Sequence, residues 1–333
     1  MAIAPRVSLG LPVYNGDNFL EPTLRSLLEQ TFEDFELIIS DNASTDRTRE
    51  ICETYAARDP RVRYVREEEN RGMIWNFNRV FELGRGEYFK WAAHDDLVAD
   101  TFLEICVEQL DRDPELAICC PSASPIDSAG YLFAAENPAK ASTGDGRLCD
   151  GSGRHRYLDS SSAGSRFRAV VIFSTRCYEE FGLIRSSVIR RTPLRGYYPG
   201  SEKVFLAELS LLGRIRVLPD LLLFPRIHGQ RLSAMRSAKD RLRSYVSKPG
   251  SGARVPRQLR CAFGYWSVIH RHPLRWFERL QCYAALAQFF LQFHKWPKVL
   301  GNALFRQERT LAPPQASPHR PQLHPRQEPV CPC

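Results

Sequence analysis

Along the first 130 residues, short apolar runs alternate with longer stretches whose apolar residues recur every three or four positions. Val7–Val13 (VSLGLPV), Phe35–Ser40 (FELIIS), Val62–Val65, Tyr88–Ala92 and Leu116–Cys120 have the length and composition of buried strands. Between them, Leu24, Leu27, Leu28 and Phe32 read as one helix, Ile51 and Tyr55 as a second, and Ile74, Phe77, Val80 and Phe81 as a third. A fourth runs from Asp100 to Asp111. Pro22 suits a first helical turn, and Ser44 stands where a cap of the second helix is expected. Asn76 and Asn78 are expected to face solvent or to cap locally. This alternation predicts an α/β fold with a mostly parallel sheet flanked by helices.

The polar residues that end these strands carry the chemistry. The first strand runs into Tyr14-Asn15-Gly16, the second into Asp41-Asn42 and the fourth into His94-Asp95-Asp96. In a parallel sheet all three groups meet along one edge, where open α/β sheets bind ligands. Two adjacent carboxylates at the end of a buried strand are costly without a partner. Their hard oxygens suit Mg2+ or Mn2+, ions that bind through one or two carboxylates plus a substrate's phosphates. Neither a GxGxxG nor a GxxxxGK[ST] loop follows any strand, so a dinucleotide fold or a P-loop NTPase has no motif support. A ligand with a base and a diphosphate still fits, with Asp41 accepting from the base or ribose.

VSLGLPVYNG, IISDNASTDRT, ENRGMIWNFN and YFKWAAHDDL follow one another in order. Together they resemble the nucleotide-binding half of the family-2 glycosyltransferases with a GT-A fold. The resemblance implies that Pro12, Tyr14 and Asn15 border the nucleotide, that Asp41 holds the base and that Arg71 lies near the nucleotide or its phosphates. Asp95-Asp96 is then the DXD-type element, with Asp96 as the metal ligand beside Asp95.

Downstream, residues 134–165 are rich in Gly and Ser without apolar periodicity and read as a flexible insertion. Phe181–Arg185 reads as a strand leading into a short helix at Ser187-Val188-Ile189. Glu202 stands at the start of an apolar stretch, Val204–Leu212, where a carboxylate is favoured at a helix N-terminus. In the resembled family an acidic pair at this point supplies the catalytic base. Here the pair reads Ser201-Glu202, so the role falls to Glu202, with Glu179 and Glu180 as fallbacks. Ile215–Leu218 and Leu221–Phe224 read as two strands. Arg226-Ile227-His228 resembles the family's closing element, which puts His228 near the metal or diphosphate; Arg226 and Arg231 are phosphate partners by charge.

Charge adds an asymmetry. Residues 1–130 hold 13 Lys/Arg against 25 Asp/Glu, a net −12, and the remainder 33 against 13, a net +20. The basic half suits a polyanionic acceptor or anionic lipid. Beyond residue 236, Trp266, Trp276, Phe277, Leu280 and Tyr283 lie among Arg and His, a pattern for helices that pack on the catalytic domain or lie on a membrane. Nucleic-acid binding has no accompanying fold signature. The ten cysteines show no CxxC pairing and read as buried thiols, apart from Cys331 and Cys333 in the tail. With no apolar run of membrane-spanning length and no leader pattern at Met1–Pro12, a cytoplasmic protein is expected, peripheral at most to the inner face of the membrane.

The expected organisation is a GT-A domain over 1–235 (1–130 the nucleotide-sugar half, 166–235 the acceptor half), a basic aromatic helical extension over 236–311 and a disordered tail over 312–333. The expected activity is metal-dependent, inverting transfer from a UDP- or dTDP-sugar to a glycan or lipid-linked hydroxyl, using Mn2+ or Mg2+. A non-catalytic nucleotide-sugar or polyanion binder on a degenerate transferase fold is the alternative. A nucleotidyltransferase would need a basic phosphate loop after the first strand, which LPVYNGDN does not provide.

Overall fold

The computed structural model describes residues 4–132, 157–174, 177–229, 245 and 257–291. Eight strands form one sheet: β1 (Val7–Val13), β2 (Phe35–Asp41), β3 (Val62–Arg66), β4 (Tyr88–Trp91), β5 (Leu97–Val98), β6 (Leu116–Ala123), β7 (Leu183–Arg185) and β8 (Arg214–Phe224). Their order across the sheet is β3-β2-β1-β4-β7-β6-β8-β5. β1, β2 and β6 are buried at every position, the signature of strands covered on both faces rather than alternating.

β3, β2, β1 and β4 are parallel, with Val7 opposite both Phe35 and Tyr88. The three ends predicted to converge therefore do lie on one edge. β7 enters between β4 and β6 antiparallel to both, so the sheet is mixed at its centre. β4 stops pairing with β1 at Gly10–Trp91, three residues short of the end of β1. Pro12 therefore lacks an N–H where no strand on the β4 side asks for one.

Helices cover both faces. α1 (Leu20–Leu28), α2 (Thr48–Arg58) and α4 (Phe102–Arg112) bury Leu24, Ile51, Phe102 and Leu110 against one face. α3 (Met73–Leu83) lies on the other with Val80 and Phe81. The same side holds α5 (Ala163–Arg168), α6 (Ser186–Ile189), α7 (Ser201–Leu212), α8 (Arg257–Arg271) and α9 (Trp276–Leu291), which share a core through Phe167, Ile189, Phe205, Tyr265 and Ala285.

Several local expectations change. The two strands read at 215–218 and 221–224 are one strand, β8. Pro121 faces Leu218 and Ser122 faces Leu221, so Pro219 and Asp220 bulge out of the ladder instead of ending it. α4 starts at Phe102 after a Thr101 cap position. Of the segment 134–165, residues 157–165 are described; Leu158 and Ala163 are buried there, and Asp159 accepts from Arg216 Nε of β8 at 2.9 Å. The tail from 312, with Cys331 and Cys333, and Arg231 lie outside the described residues. The seven described cysteines are free and buried. Among the described residues no helix is long and apolar enough to cross a membrane.

Candidate active site

The loop after β1 is fastened to the loop after β2. Asn15 adopts a left-handed conformation, φ 51°, which asparagine tolerates better than most residues. Its backbone N–H donates to Ser44 Oγ at 2.9 Å, and its Oδ1 accepts from Thr45 N at 2.8 Å. Gly16 N donates to Thr48 Oγ1 at 2.9 Å. Ser44 is thus a bridge between loops rather than a helix cap, since α2 begins only at Thr48. Tyr14, at the same turn, is 45% exposed and open to a ligand.

Asp41, at the end of β2, is fully buried. It accepts from Ser44 N and from Tyr64 OH, both at 2.8 Å, and Arg66 Nε lies 3.4 Å away. Each carboxylate oxygen retains a further lone pair, but the side chain has no exposed surface, so a ligand would reach it only after a neighbour such as Arg66 shifts. Asn42 ties in the next loop, accepting from Arg71 N at 2.9 Å and donating to Asn70 Oδ1 and the Gly72 carbonyl. The Arg71 guanidinium packs over the Trp75 ring, 4.8 Å from its centroid.

Asn76 and Asn78 are not on the surface. Asn76 Nδ2 donates to the carbonyls of Val13 and Ser40, one from each of the two strand ends, at 3.3 and 2.8 Å. Asn78 makes a reciprocal pair with the backbone of Arg195. The Val13 carbonyl also accepts from Asn42 N at 2.9 Å, so the carboxamide on α3 adds a second donor where the two parallel strands end. The only trace of this in the sequence is two amides, at i and i+2, inside the otherwise apolar IWNFN.

The stretch after β4 is held just as closely. Thr23 Oγ1 of α1 lies 2.9 Å from the carbonyl oxygens of both His94 and Asp96, so its one hydroxyl proton is shared between them. The His94 ring lies against Gly16, where a Cβ would come within 2.7 Å of it, so this approach requires glycine. Burial holds the His94 imidazole below its usual range. The β1 turn and the Asp95-Asp96 loop are therefore in contact, and Asn15, Asp41, Asp95 and Asp96 belong to one connected edge.

Arg226 and His228 reach this loop from beyond β8. Asp96 Oδ1 accepts from Arg226 N at 2.9 Å, and Asp95 Oδ2 lies 2.8 Å from His228 Nε2. The His228 ring packs on Phe19, a partner the sequence did not single out. Arg226 departs from the expectation of an open phosphate partner. It is buried, with Nε on the Asp95 carbonyl and Nη1 on the carbonyls of Asp127 and Ser128. Its guanidinium braces the acidic loop.

The donor set fits a hard divalent cation. Two carboxylates and an imidazole stand together, and His228 Nδ1 is buried without a hydrogen-bond partner. Among the described residues no group of three or more His, Cys, Asp or Glu is placed to hold a metal ion by itself. An ion held here would take the rest of its shell from phosphate and water.

Glu202 occupies the first turn of α7. Its Oε2 accepts from Gly200 N at 2.9 Å, and Arg257 Nη2 of α8 is 3.3 Å from its Oε1. One turn on, Phe205 packs edge-on against Trp91, the last residue of β4. The fallback candidates are less available: Glu179 and Glu180 are both buried, and Glu180 faces Arg195 at 2.9 Å. Lys90, within β4, is buried as well. Its Nζ donates to the Phe181 carbonyl at 2.6 Å, and burial pulls its pKa down to about 8.

Residues 8–166 match the family model for Glycosyl transferase family 2. Among curated proteins, the chain is 33% identical over 129 residues to the chondroitin synthase of Escherichia coli, spanning 39% of this chain and 19% of that one. It is 30% identical over 113 residues to the glycosyltransferase GlyG of Streptococcus pneumoniae, spanning 34% and 38%. It thus covers less than two fifths of either relative. Among solved structures, S. aureus TarS 1-349 in complex with UDP-GlcNAc superposes with a TM-score of 0.61 at 16% identity, covering 91% of this chain and 76% of that one. The mannosyltransferase PcManGT from Pyrobaculum calidifontis, in complex with GDP-Man and Mn2+, gives 0.52 at 17% identity, covering 91% and 87%. At that identity the likeness speaks for the fold, and it agrees with the mixed sheet and the helices after it. By sequence, residues 8–166 are similar to glycosyl transferase family 2, and by architecture the chain shares its fold with these glycosyltransferase structures.

Proposed function

We propose that the protein is an inverting glycosyltransferase that moves a sugar from a nucleoside-diphosphate donor to a hydroxyl of a glycan or lipid-linked precursor. The observation that carries this reading is the single connected edge on which Asn15, Asp41 and Asp95-Asp96 are held by direct contacts between their loops. Asp41 accepts from the base, Pro12 and Tyr14 flank the nucleotide, and Arg71 lies on the same side. Asp96 and His228, with Asp95 beside them, would hold Mn2+ or Mg2+. When bound, that ion offsets the negative charge that develops on the departing diphosphate. Glu202 takes the proton of the acceptor hydroxyl as its oxygen forms the new bond to the anomeric carbon and the bond to the diphosphate breaks. The chain works in the cytoplasm, peripheral at most to the inner face of the membrane.

The test uses the full chain with UDP, UDP-GlcNAc and GDP-mannose, each with Mn2+ or with EDTA. A nucleotide that binds the native state raises the melting temperature by mass action. Stabilisation by at least one ligand is expected with Mn2+ and not with EDTA, and Asp96→Ala should remove it. Glu202→Gln should retain it while losing sugar release from the stabilising donor. If none of the three stabilises the wild type, the donor site falls. If Glu202→Gln turns over normally, the base assignment falls. Binding without any sugar release by the wild type would point instead to the non-catalytic reading.

A further inference from the structure

α8 and α9 each bury one face and leave the other apolar. Cys261, Tyr265 and Ile269, then Cys282, Ala285 and Leu286, point into the core. On the outside, Phe263 is 69% exposed, Trp266 52%, Trp276 75% and Leu280 56%, with Phe277 beside them. Six of the eleven large apolar side chains exposed among the described residues fall within these two helices. A helix facing only water would carry polar residues there.

The exposed residues form a connected strip. The Trp266 ring lies 4.2 Å from that of His270, and His270 Nε2 is 2.9 Å from Tyr283 OH across the two helices. Leu280 is three residues before Tyr283 and four after Trp276, so all three share one helix face. The Trp276 and Phe277 rings meet edge-on at 6.0 Å.

The charge around the strip has one sign. Residues 257–291 carry five arginines and one acidic residue, Glu278. Arg257 and Arg271 are paired with Glu202 and Glu208 of α7, which leaves Arg260, Arg275 and Arg279. Glu278 is turned inward, accepting from the backbone N–H groups of Ala163 and Arg275. Arg275 is exposed and adjoins Trp276, and His270 is exposed beside Trp266. Paired copies of this chain across a two-fold axis would bring the same arginines face to face. An anionic bilayer brings the opposite charge, together with the interfacial zone that tryptophan prefers.

We propose that the outer face of α8 and α9 is a docking surface for an anionic lipid bilayer, entered by Trp266, Trp276, Phe277 and Leu280 and held by Arg275 and its neighbours. The docking itself stands apart from the transferase reading. Where that reading also holds, the two are physically linked: Arg257, the first residue of α8, touches Glu202, and Trp266 lies nine residues along the same helix, about 13 Å at helical rise. The acceptor hydroxyl would then be met close to the headgroups.

The test is co-sedimentation of the full chain with phosphatidylcholine vesicles, with and without phosphatidylglycerol, at low and high salt, with tryptophan emission recorded in parallel. Binding should require phosphatidylglycerol, weaken with salt and shift the emission to the blue. Trp266→Ala and Trp276→Ala should each weaken partitioning by about tenfold, and Arg275→Gln by about fivefold. All three side chains are largely exposed, so their melting temperatures should stay close to that of the wild type. Trp276→Ser provides a second, more soluble variant at the most exposed position. Equal binding to neutral vesicles, no binding to either, or self-association that Trp276→Ser abolishes in place of vesicle binding would each overturn the proposal. Loss of donor stabilisation with vesicle binding intact would count against the transferase reading alone.

Discussion

Glu180 offers a sharp test of how this interior handles charge. It faces Arg195 at 2.9 Å, both side chains are about 5% exposed or less, and the Arg195 guanidinium lies over the Phe77 ring. The contact is close but off-angle, leaving Glu180 Oε2 and Arg195 Nη2 without a well-formed hydrogen bond. Burial therefore outweighs the pull of Arg195 and lifts the Glu180 carboxyl to about 7, with Glu202 and Glu179 adding to the rise. A folded value near 7 against an ordinary 4.5 means that the folded chain holds an extra proton between those pH values. Stability from this group is greatest below 4.5 and is lost as pH rises through 7. The whole window corresponds to about 3 kcal/mol, and about 2 kcal/mol of it falls between pH 5.5 and 8. Glu180→Gln removes the titration and keeps the shape. Urea unfolding of both proteins at the two pH values should show the glutamine variant gaining about 2 kcal/mol on the wild type as pH rises. If the variant instead loses ground with rising pH, Arg195 holds Glu180 ionised and the reasoning from burial fails.

The mirror case is Lys90, lowered by burial from 10.5 to about 8, so that the unfolded chain holds the extra proton between those values. Wild-type stability relative to Lys90→Met should rise from pH 7.5 to 9.5 by about 2 kcal/mol, read by the same unfolding assay. Asn76→Ala should cost about 1 kcal/mol, because it removes the amide that donates to the carbonyls of Ser40 and Val13 while Asn42 N still serves Val13, and urea midpoints check this. Gly200 has φ 98°, and a Cβ there would meet Cys261 Sγ at 2.6 Å and Arg257 Nε at 2.9 Å. Gly200→Ala should cost about 1–3 kcal/mol and reduce sugar release more than donor stabilisation, since it moves the groups around Glu202.

The first half of the sheet was legible because β1, β2 and β4 are mostly apolar runs that end abruptly in Asn, Asp or Asp-Asp, and parallel pairing puts such ends together. What pattern reading missed lies where one residue serves two elements. Asn76 satisfies two strands from a helix, Ser44 bridges two loops, and Arg226 is absorbed by carbonyls of Asp95, Asp127 and Ser128. None of these contacts has a periodicity. Pro219-Asp220 looked like a break because proline and aspartate usually end strands, yet a bulge carries them without ending β8. The antiparallel entry of β7 was equally hidden, since three residues give no direction of travel. The Arg-Ile-His context singled out His228, which lies beside Asp95, but nothing in it pointed to the seat on Phe19.

The grip of Arg257 on Glu202 has a bearing on how the chain can be divided. Residues 8–166 match a recognised family, but Glu202 and the arginine touching it both come later, on α7 and α8. A shortened protein ending before α8 would keep every strand of the sheet and still lose one of the two contacts that orient this carboxylate. Chimeras meant to exchange acceptor preference between relatives should therefore move α7 and α8 as one piece, because a cut between them would separate a side chain from the neighbour that aims it.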